Sequence, residues 1–138
     1  MITQINHIGI AVSSLENHIP FYRDVLHLEF LGTNEVAEQK VKVAMFRVGE
    51  VQIELLEPTS PESPIAKFME KKGEGIHHIA YQTDDITGDI RQFISQNIRM
   101  IDEKPRSGAH DSQIAFLHPK SSGRVLTEIC QIKSFKQD

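Results

Sequence analysis

The sequence has little of what marks several large classes of protein. Its single cysteine, Cys130, excludes a framework of disulfides within the chain. No apolar run approaches the roughly 18 residues of a membrane-spanning helix, and no charged segment followed by a hydrophobic one opens the chain. The 15 Lys and Arg residues are outnumbered by 19 Asp and Glu, so no basic surface for nucleic acid is expected. We therefore expect a soluble, cytoplasmic protein with neither a nucleic-acid nor a membrane partner.

What the sequence does contain is an internal repeat that includes histidine and glutamate. Residues 7–10 and 51–55 in the first half resemble residues 78–81 and 125–129 in the second. The two histidines of the repeat lie 71 positions apart and the two glutamates 74. Because both residue types are good metal ligands, the repeat predicts one pseudo-symmetric metal site. Its four ligands are His7, Glu54, His78 and Glu128.

Short runs rich in Ile and Val, separated by capping and turn residues, predict two βαβββ modules in one domain of 138 residues. The first module takes in residues 1–58 and the second residues 75–138. Residues 59–74 form a linker whose helix begins after Ser63 and stops at Gly73. In the first module Ser13 and Glu16 have the spacing of a capping box, and Pro20 predicts a kink or a later start of the helix. In the second module a strand is predicted at residues 100–102.

Alternation along the strands places the four candidate ligands on one face of the sheet, opposite an apolar face that packs under the helices. A lone histidine in a strand is usually structural, and a strand glutamate usually lies at a solvated edge. The recurring spacing, in apolar surroundings where an unpaired charge is costly, favours ligands. His77 has the opposite parity from His78, which favours a supporting role over ligation. No metal role is assigned to the histidines without a repeat partner, which are His18, His27, His110 and His118.

Two imidazoles and two carboxylates without a thiolate suit a divalent ion such as Co²⁺, Mn²⁺, Ni²⁺ or Zn²⁺. Four protein ligands leave open positions on a six-coordinate ion. A substrate that offers two oxygens fills those positions.

Beside the His…Glu…His…Glu pattern, the sequence contains the strings SPIAKF at residues 63–68 and FLHPK at residues 116–120. With these features it resembles the methylmalonyl-CoA epimerase family of the vicinal oxygen chelate superfamily over nearly its whole length. The His…Glu…His…Glu pattern is shared with glyoxalase I, whereas the two strings point to the epimerase branch. The resemblance implies an α+β fold of two βαβββ modules, with a curved, mostly antiparallel sheet that encloses the metal, in a homodimer. The segments that match are residues 7–12, 54–58, 63–68, 73–80, 105–106 and 116–120.

The resemblance also implies an activity, the interconversion of (R)- and (S)-methylmalonyl-CoA with one divalent metal ion and no organic cofactor. The C2 proton of this acyl-CoA lies between a thioester and a carboxylate, so its removal gives an enolate that a metal stabilises. Some family members have a glutamate on the third strand and a glutamine at the position of Glu54. Here Val43 stands on the third strand and cannot transfer a proton. Glu54 and Glu128 are therefore the predicted acid–base groups, one for each face of C2.

Loops beside the predicted site strands hold candidate groups for the substrate carboxylate or the CoA phosphates, although an ordinary solvated role explains each of them equally well. Two other functions fit the same pattern. One is a glyoxalase I-like enzyme that acts on a glutathione hemithioacetal. The other is a non-catalytic binding or resistance protein, against which four intact ligands count. The candidate substrate-binding residues are Lys120, Arg106 and Ser122, with Ser121 beside them.

Overall fold

A computed structural model describes residues 1–109 and 111–133, and its elements follow the βαβββ pattern twice. The predicted α+β class is confirmed. A π-helical turn, Phe21–Val25, follows the first helix, and 3₁₀ turns lie at Ala37–Gln39 and Pro119–Ser121. The strands are β1 (Ile2–Ala11), β2 (Glu29–Val36), β3 (Val41–Val48), β4 (Val51–Pro58), β5 (Gly75–Thr83), β6 (Arg106–Ser107), β7 (Ser112–Leu117) and β8 (Leu126–Ile132), and the helices are α1 (Leu15–Pro20), α2 (Pro64–Lys72) and α3 (Ile86–Ser95).

The chain divides into two compact units that share strand β1. The first unit is residues 7–77, in which the strand order is β2-β3-β4-β1 and only the β1–β4 pair is parallel. The second unit is residues 1–6 together with the chain from His78 onward, with the order β5-β8-β7-β6 and a parallel β5–β8 pair. The described pairs within each unit are thus mostly antiparallel, as predicted.

The first helix begins one residue later than its capping-box pattern predicts. The side chain of Ser14 accepts a hydrogen bond from the N–H of Asn17 at 3.2 Å, whereas the N–H of Ser13 donates to Glu74 at 2.8 Å. The hydroxyl of Ser13 also donates to Glu74, at 3.2 Å, and Ser14 is the residue that caps the helix. The predicted interruption at Pro20 is confirmed, because the α-helix ends there and gives way to the π-helical turn. Proline supplies no N–H to continue the helical hydrogen bonds.

The prediction of a strand at residues 100–102 is wrong. Met100 forms only an isolated bridge with Leu117, and a two-residue strand, β6, pairs with β7 instead. The N–H groups of Ile101 and Asp102 converge on one acceptor, the carbonyl of Phe116, at 2.9 and 3.2 Å. Two donors on a single carbonyl cannot continue a β-ladder, so the chain turns away from the sheet.

Apolar clusters cover both faces of the sheet in the first unit. Phe46 and Leu55 pack with Leu15 beneath α1, as the alternation predicts. On the opposite face, which carries His7 and Glu54, α2 covers part of the sheet through Ile65. That face is therefore apolar at one end and not polar along its whole length. In the second unit α3 packs on Met100, Ala115 and Ile129 through Ile86 and Ile90.

Among the described residues, no helix has both the length and the apolar character needed to span a bilayer.

Candidate metal centre and active site

The first half of the repeat brings His7 and Glu54 together in the first unit. Parallel pairing of β1 with β4 sets Glu54 beside Gly9, two residues after His7, so both side chains lie on one face. The Nδ1 atom of His7 is 3.7 Å from the Oε2 atom of Glu54, and the side chains are only 12% and 19% exposed. We call these residues the first pair.

The second half repeats this arrangement with His78 and Glu128 in the second unit. Pairing of β5 with β8 sets Glu128 beside Ala80, again two residues after the histidine. The Nε2 atom of His78 is 3.5 Å from the Oε1 atom of Glu128, and the side chains are 10% and 7% exposed. We call these residues the second pair. The sequence repeat thus corresponds to a repeated position of glutamate relative to histidine across parallel strands.

Burial favours the uncharged forms of the first pair. Desolvation lowers the pKa of His7 to about 4, so its imidazole is neutral near pH 7 and has a lone pair for a metal. Desolvation raises the pKa of Glu54 to about 7, so the carboxyl group holds a proton for part of the time. A bound divalent cation favours the ionised carboxylate and offsets the cost of burying its charge.

The two pairs fit a metal ion by their chemistry and by their spacing. Nitrogen–oxygen distances of 3.7 and 3.5 Å are too long for good hydrogen bonds. Two ligands that each lie about 2.1 Å from one ion stand roughly 3.0–3.5 Å apart, close to these distances. Each pair supplies an imidazole and a carboxylate, as the predicted ligand set requires.

His77 contacts Phe68, whereas its neighbour His78 contacts Phe116. The ring of His77 lies 5.0 Å from the ring of Phe68 on α2, edge to face, within the first unit. Burial lowers the pKa of His77 to about 4, so the imidazole is neutral near pH 7. This contact is consistent with the supporting role that strand parity predicts.

The third-strand position offers no acid–base group in this chain. Val43 is paired with Leu56 and buried in the cluster that contains Ala11 and Ile65. The neighbouring residue on the same face, Met45, is paired with Glu54. Aliphatic side chains therefore adjoin the first pair on its β3 side.

The second pair has a neighbour that sequence reasoning missed. Phe116 on β7 is directly opposite Glu128, and its ring centroid is 6.1 Å from that of His78. Arg106 lies over this ring, with its Cζ 5.5 Å from the centroid, and its Nε donates to Asp102 at 3.2 Å. Phe116 stands in the family-like string FLHPK, but only the pairing of β7 with β8 reveals that it faces Glu128.

The other substrate-binding candidates lie on the loop between β7 and β8. Lys120 is exposed, and its backbone N–H donates to the Nδ1 atom of His118 at 3.1 Å. The hydroxyl of Ser122 donates to the carbonyl of Val125 at 2.6 Å and so helps to hold the loop. Ser121 accepts from the N–H of Arg99 at 2.8 Å. The structure thus gives Ser121 and Ser122 loop-supporting contacts.

Two described histidines without a repeat partner remain, His18 and His27. The Nε2 atom of His18 is 3.0 Å from Glu74, and its Nδ1 atom is 2.8 Å from the carbonyl of Ser14. His27 is exposed and has a positive φ of 57°. His110 lies outside the described residues.

Residues 6–116 match the Glyoxalase/Bleomycin resistance protein/Dioxygenase superfamily. The mitochondrial methylmalonyl-CoA epimerase of Mus musculus is 36% identical over 129 residues, which are 93% of this chain and 72% of that protein. The ethylmalonyl-CoA/methylmalonyl-CoA epimerase of Cereibacter sphaeroides is 36% identical over 134 residues, which are 96% of this chain and 100% of that protein. A solved structure of methylmalonyl-CoA epimerase in complex with methylmalonyl-CoA and NH4+ is similar with a TM-score of 0.90 and 36% identity, covering 100% of both chains. The resemblance read from the sequence is confirmed, and the chain belongs to the glyoxalase/bleomycin resistance protein/dioxygenase superfamily and, within it, to the methylmalonyl-CoA epimerase family.

Proposed function

We propose that this protein is an isomerase that interconverts (R)- and (S)-methylmalonyl-CoA by 1,1-proton transfer. The observation that carries the proposal is the repeated, buried His–Glu pair in a chain of the epimerase family. Two equivalent carboxylates suit a reaction that removes a proton from one face of a carbon and returns one to the other.

We propose that the two pairs together hold one divalent ion, Co²⁺, Mn²⁺, Ni²⁺ or Zn²⁺, and that no organic cofactor takes part. When bound, the ion supplies positive charge that stabilises the negative charge developing on the substrate oxygens. The donor set supports this proposal, because imidazole and carboxylate groups in apolar surroundings match the preferences of these ions. The ligands are His7, Glu54, His78 and Glu128.

Glu54 and Glu128 are proposed to move the proton. One carboxylate oxygen takes the C2 proton as the C2–H bond breaks, and the electron pair spreads onto the thioester and carboxylate oxygens of the substrate. The other glutamate gives a proton to the opposite face of C2, and the proton count is restored through solvent. Val43 supports this assignment, because this buried apolar side chain leaves no carboxylate at the third-strand position.

The acyl-CoA substrate is proposed to use cationic and polar groups of the second unit, with Arg106, Lys120 and Ser122 as the candidates. The half-exposed guanidinium of Arg106 above Phe116 has the best position of the three. Homodimer formation, a cytoplasmic location and the module boundaries at residues 58 and 75 stay predictions.

The proposal is tested with purified protein loaded with each candidate metal. We expect both epimers of methylmalonyl-CoA to exchange the C2 proton in D₂O and to interconvert. The glutathione hemithioacetal of methylglyoxal is the control substrate, and we expect it to be turned over at least 100-fold more slowly, because one hydrogen-bonding mismatch in a polar site costs this much or more. Turnover of the hemithioacetal alone would identify a glyoxalase I-like enzyme, and binding without turnover of either compound would identify a non-catalytic protein.

A further inference from the structure

Three side chains of the second unit form a cluster beside the second pair. Phe116 is directly opposite Glu128 in the antiparallel β7–β8 pair, so the two side chains share a face. The ring of His78 meets the Phe116 ring edge to face, with 6.1 Å between centroids. Phe116 therefore adjoins both members of the second pair.

Arg106 reaches the same place from β6. It is paired with Ile114, which lies two residues before Phe116 and on the same face of β7. Its Cζ atom is 5.5 Å from the centroid of the Phe116 ring, within range of a cation–π contact. A permanent positive charge thus lies one aromatic ring away from the second pair.

Asp102 fixes the position of this charge. Its Oδ1 atom accepts from the Nε of Arg106 at 3.2 Å, and its Oδ2 atom accepts from the backbone N–H of Phe116 at 2.9 Å. The carboxylate is 17% exposed and the guanidinium 49%. One acidic side chain therefore ties Arg106 to the strand that lies beside Glu128.

The contact with Asp102 leaves the end of the guanidinium available. Within residues 1–109 and 111–133, Nε is the nitrogen of Arg106 that a carboxylate engages, and the side chain is half exposed. The fork formed by the other guanidinium nitrogens matches the two oxygens of a carboxylate. An anion that reaches Arg106 therefore finds a donor that is already oriented.

We propose that Arg106 binds the free carboxylate of the acyl group and that Asp102 is the positioning residue that orients it. This inference rests on the proposed epimerase function and assigns the selectivity of its site for a carboxylated acyl-CoA. The carboxylate of methylmalonyl-CoA is bonded directly to C2, whereas the phosphates lie beyond the pantetheine arm. Because Arg106 is one ring away from the proposed base Glu128, the anion that reaches it is the one next to the reacting carbon.

The test compares the binding of malonyl-CoA with that of acetyl-CoA, which has the same phosphates and pantetheine arm but no acyl carboxylate. Dissociation constants are measured by calorimetry on the Co²⁺-loaded protein. We expect the wild type to prefer malonyl-CoA and Arg106→Met to lose about 10- to 100-fold of that preference, the range for a hydrogen bond between charged groups. The affinity for acetyl-CoA should change less than about twofold. Arg91→Met, an exposed arginine on α3, is the matched control and should behave as the wild type.

Two further variants separate positioning from folding. Arg106→Lys keeps the charge but loses the planar fork, so its preference should fall between those of the wild type and Arg106→Met. Asp102→Asn keeps an oxygen for the N–H of Phe116 but presents no charge to Arg106, so part of the preference should be lost. The double variant Asp102→Asn with Arg106→Met should be no less selective than Arg106→Met alone, because Asp102 acts through Arg106.

Equal weakening of both ligands by Arg106→Met would assign the residue to a phosphate and overturn the proposal, as would an unchanged preference. A loss in the Asp102→Asn variant that persists in the absence of Arg106 would overturn the positioning role. Exchange of the C2 proton by the wild type is measured in parallel. Absence of exchange together with a preference that depends on Arg106 would contradict the epimerase function and leave the carboxylate site in place.

Discussion

The two His–Glu pairs are alike in their ligands and unlike in their surroundings. In each pair the glutamate lies beside the residue two positions after the histidine, across parallel strands. The first pair adjoins Met45 on β3, whereas the second adjoins Phe116, over which Arg106 lies. The two halves thus have the same groups that suit a metal, but they differ in the residue on the neighbouring strand, β3 or β7. We conclude that ligation is expected to be symmetric and recognition of the substrate asymmetric.

The largest expected effect comes from removing a histidine from either pair. His7→Ala and His78→Ala should each lower metal affinity by 10-fold or more and reduce kcat/KM by about 1000-fold, because an open coordination position is left in a buried site. Metal content after gel filtration and the rate of epimerisation provide the measurements. His77→Ala is the matched control on the same strand and should retain its metal. Retention of metal by His78→Ala but not by His77→Ala would show that the register of the second pair is off by one.

The next effect separates ligation from proton transfer in the two glutamates. Glu54→Gln and Glu128→Gln keep an oxygen ligand but remove the base, so net epimerisation should fall by about 100- to 10,000-fold in both. With metal occupancy confirmed, each variant should stop C2 exchange from one epimer and spare exchange from the other. Deuterium incorporation, measured separately with the (R) and the (S) substrate, distinguishes the two variants. Full epimerase activity in Glu54→Gln would contradict the two-base assignment.

The aliphatic surroundings of the first pair can be changed by a substitution on the third strand. Val43→Glu should destabilise the metal-free protein by about 1–3 kcal/mol, because it buries a carboxyl group in the cluster with Leu56 and Ile65. In the Glu54→Gln background, the same substitution should restore part of the lost epimerase activity, because it supplies a carboxylate two residues from the position opposite residue 54. Thermal unfolding and epimerisation are measured on the wild type, Val43→Glu, Glu54→Gln and the double variant. Val43→Gln in that background is the control, and equal recovery with Gln would rule out a restored base.

The last effect, which leaves the ligands in place, is the pH dependence of metal binding. The pKa of Glu54 is raised to about 7 and that of His7 is lowered to about 4 in the metal-free protein. Below pH 7 the metal must therefore displace a proton from Glu54, whereas His7 is already neutral. Affinity should fall by at most about tenfold for each pH unit between 7 and 5, with up to one proton released. Calorimetry in buffers of different ionisation enthalpy measures the release, which Glu54→Gln should abolish. Proton release that is unchanged in Glu54→Gln would assign the titration to another group.

Much of the fold followed from the sequence, because turn and capping residues mark its elements. The helix α2 begins after Ser63 and stops at Gly73, as predicted. The failures came from long-range contacts. Glu74 draws Ser13 away from the helix start, and the carbonyl of Phe116 collects two N–H groups where a strand was predicted. Local patterns carry no information about such distant partners.

The candidate site was predictable where it is repeated and unpredictable where it is not. His7 and Glu54 are predicted as ligands because His78 and Glu128 stand at matching positions in the second half. The environment of Arg106 depends on the pairing of β7 with β8, which sets Phe116 opposite Glu128. The periodicity of the sequence does not predict which residues are paired. Asp102 gave no signal of its own, because it precedes the short strand β6 in an irregular segment.

The central claim is that both pairs serve one metal-dependent proton transfer, and a single titration tests it most directly. Metal-free protein is titrated with Co²⁺ while bound metal and C2 exchange of methylmalonyl-CoA in D₂O are measured on the same sample. If both pairs hold one ion, exchange rises in proportion to bound metal and saturates at one ion per chain. Full exchange in the presence of a chelator, or saturation at two ions per chain, would contradict it.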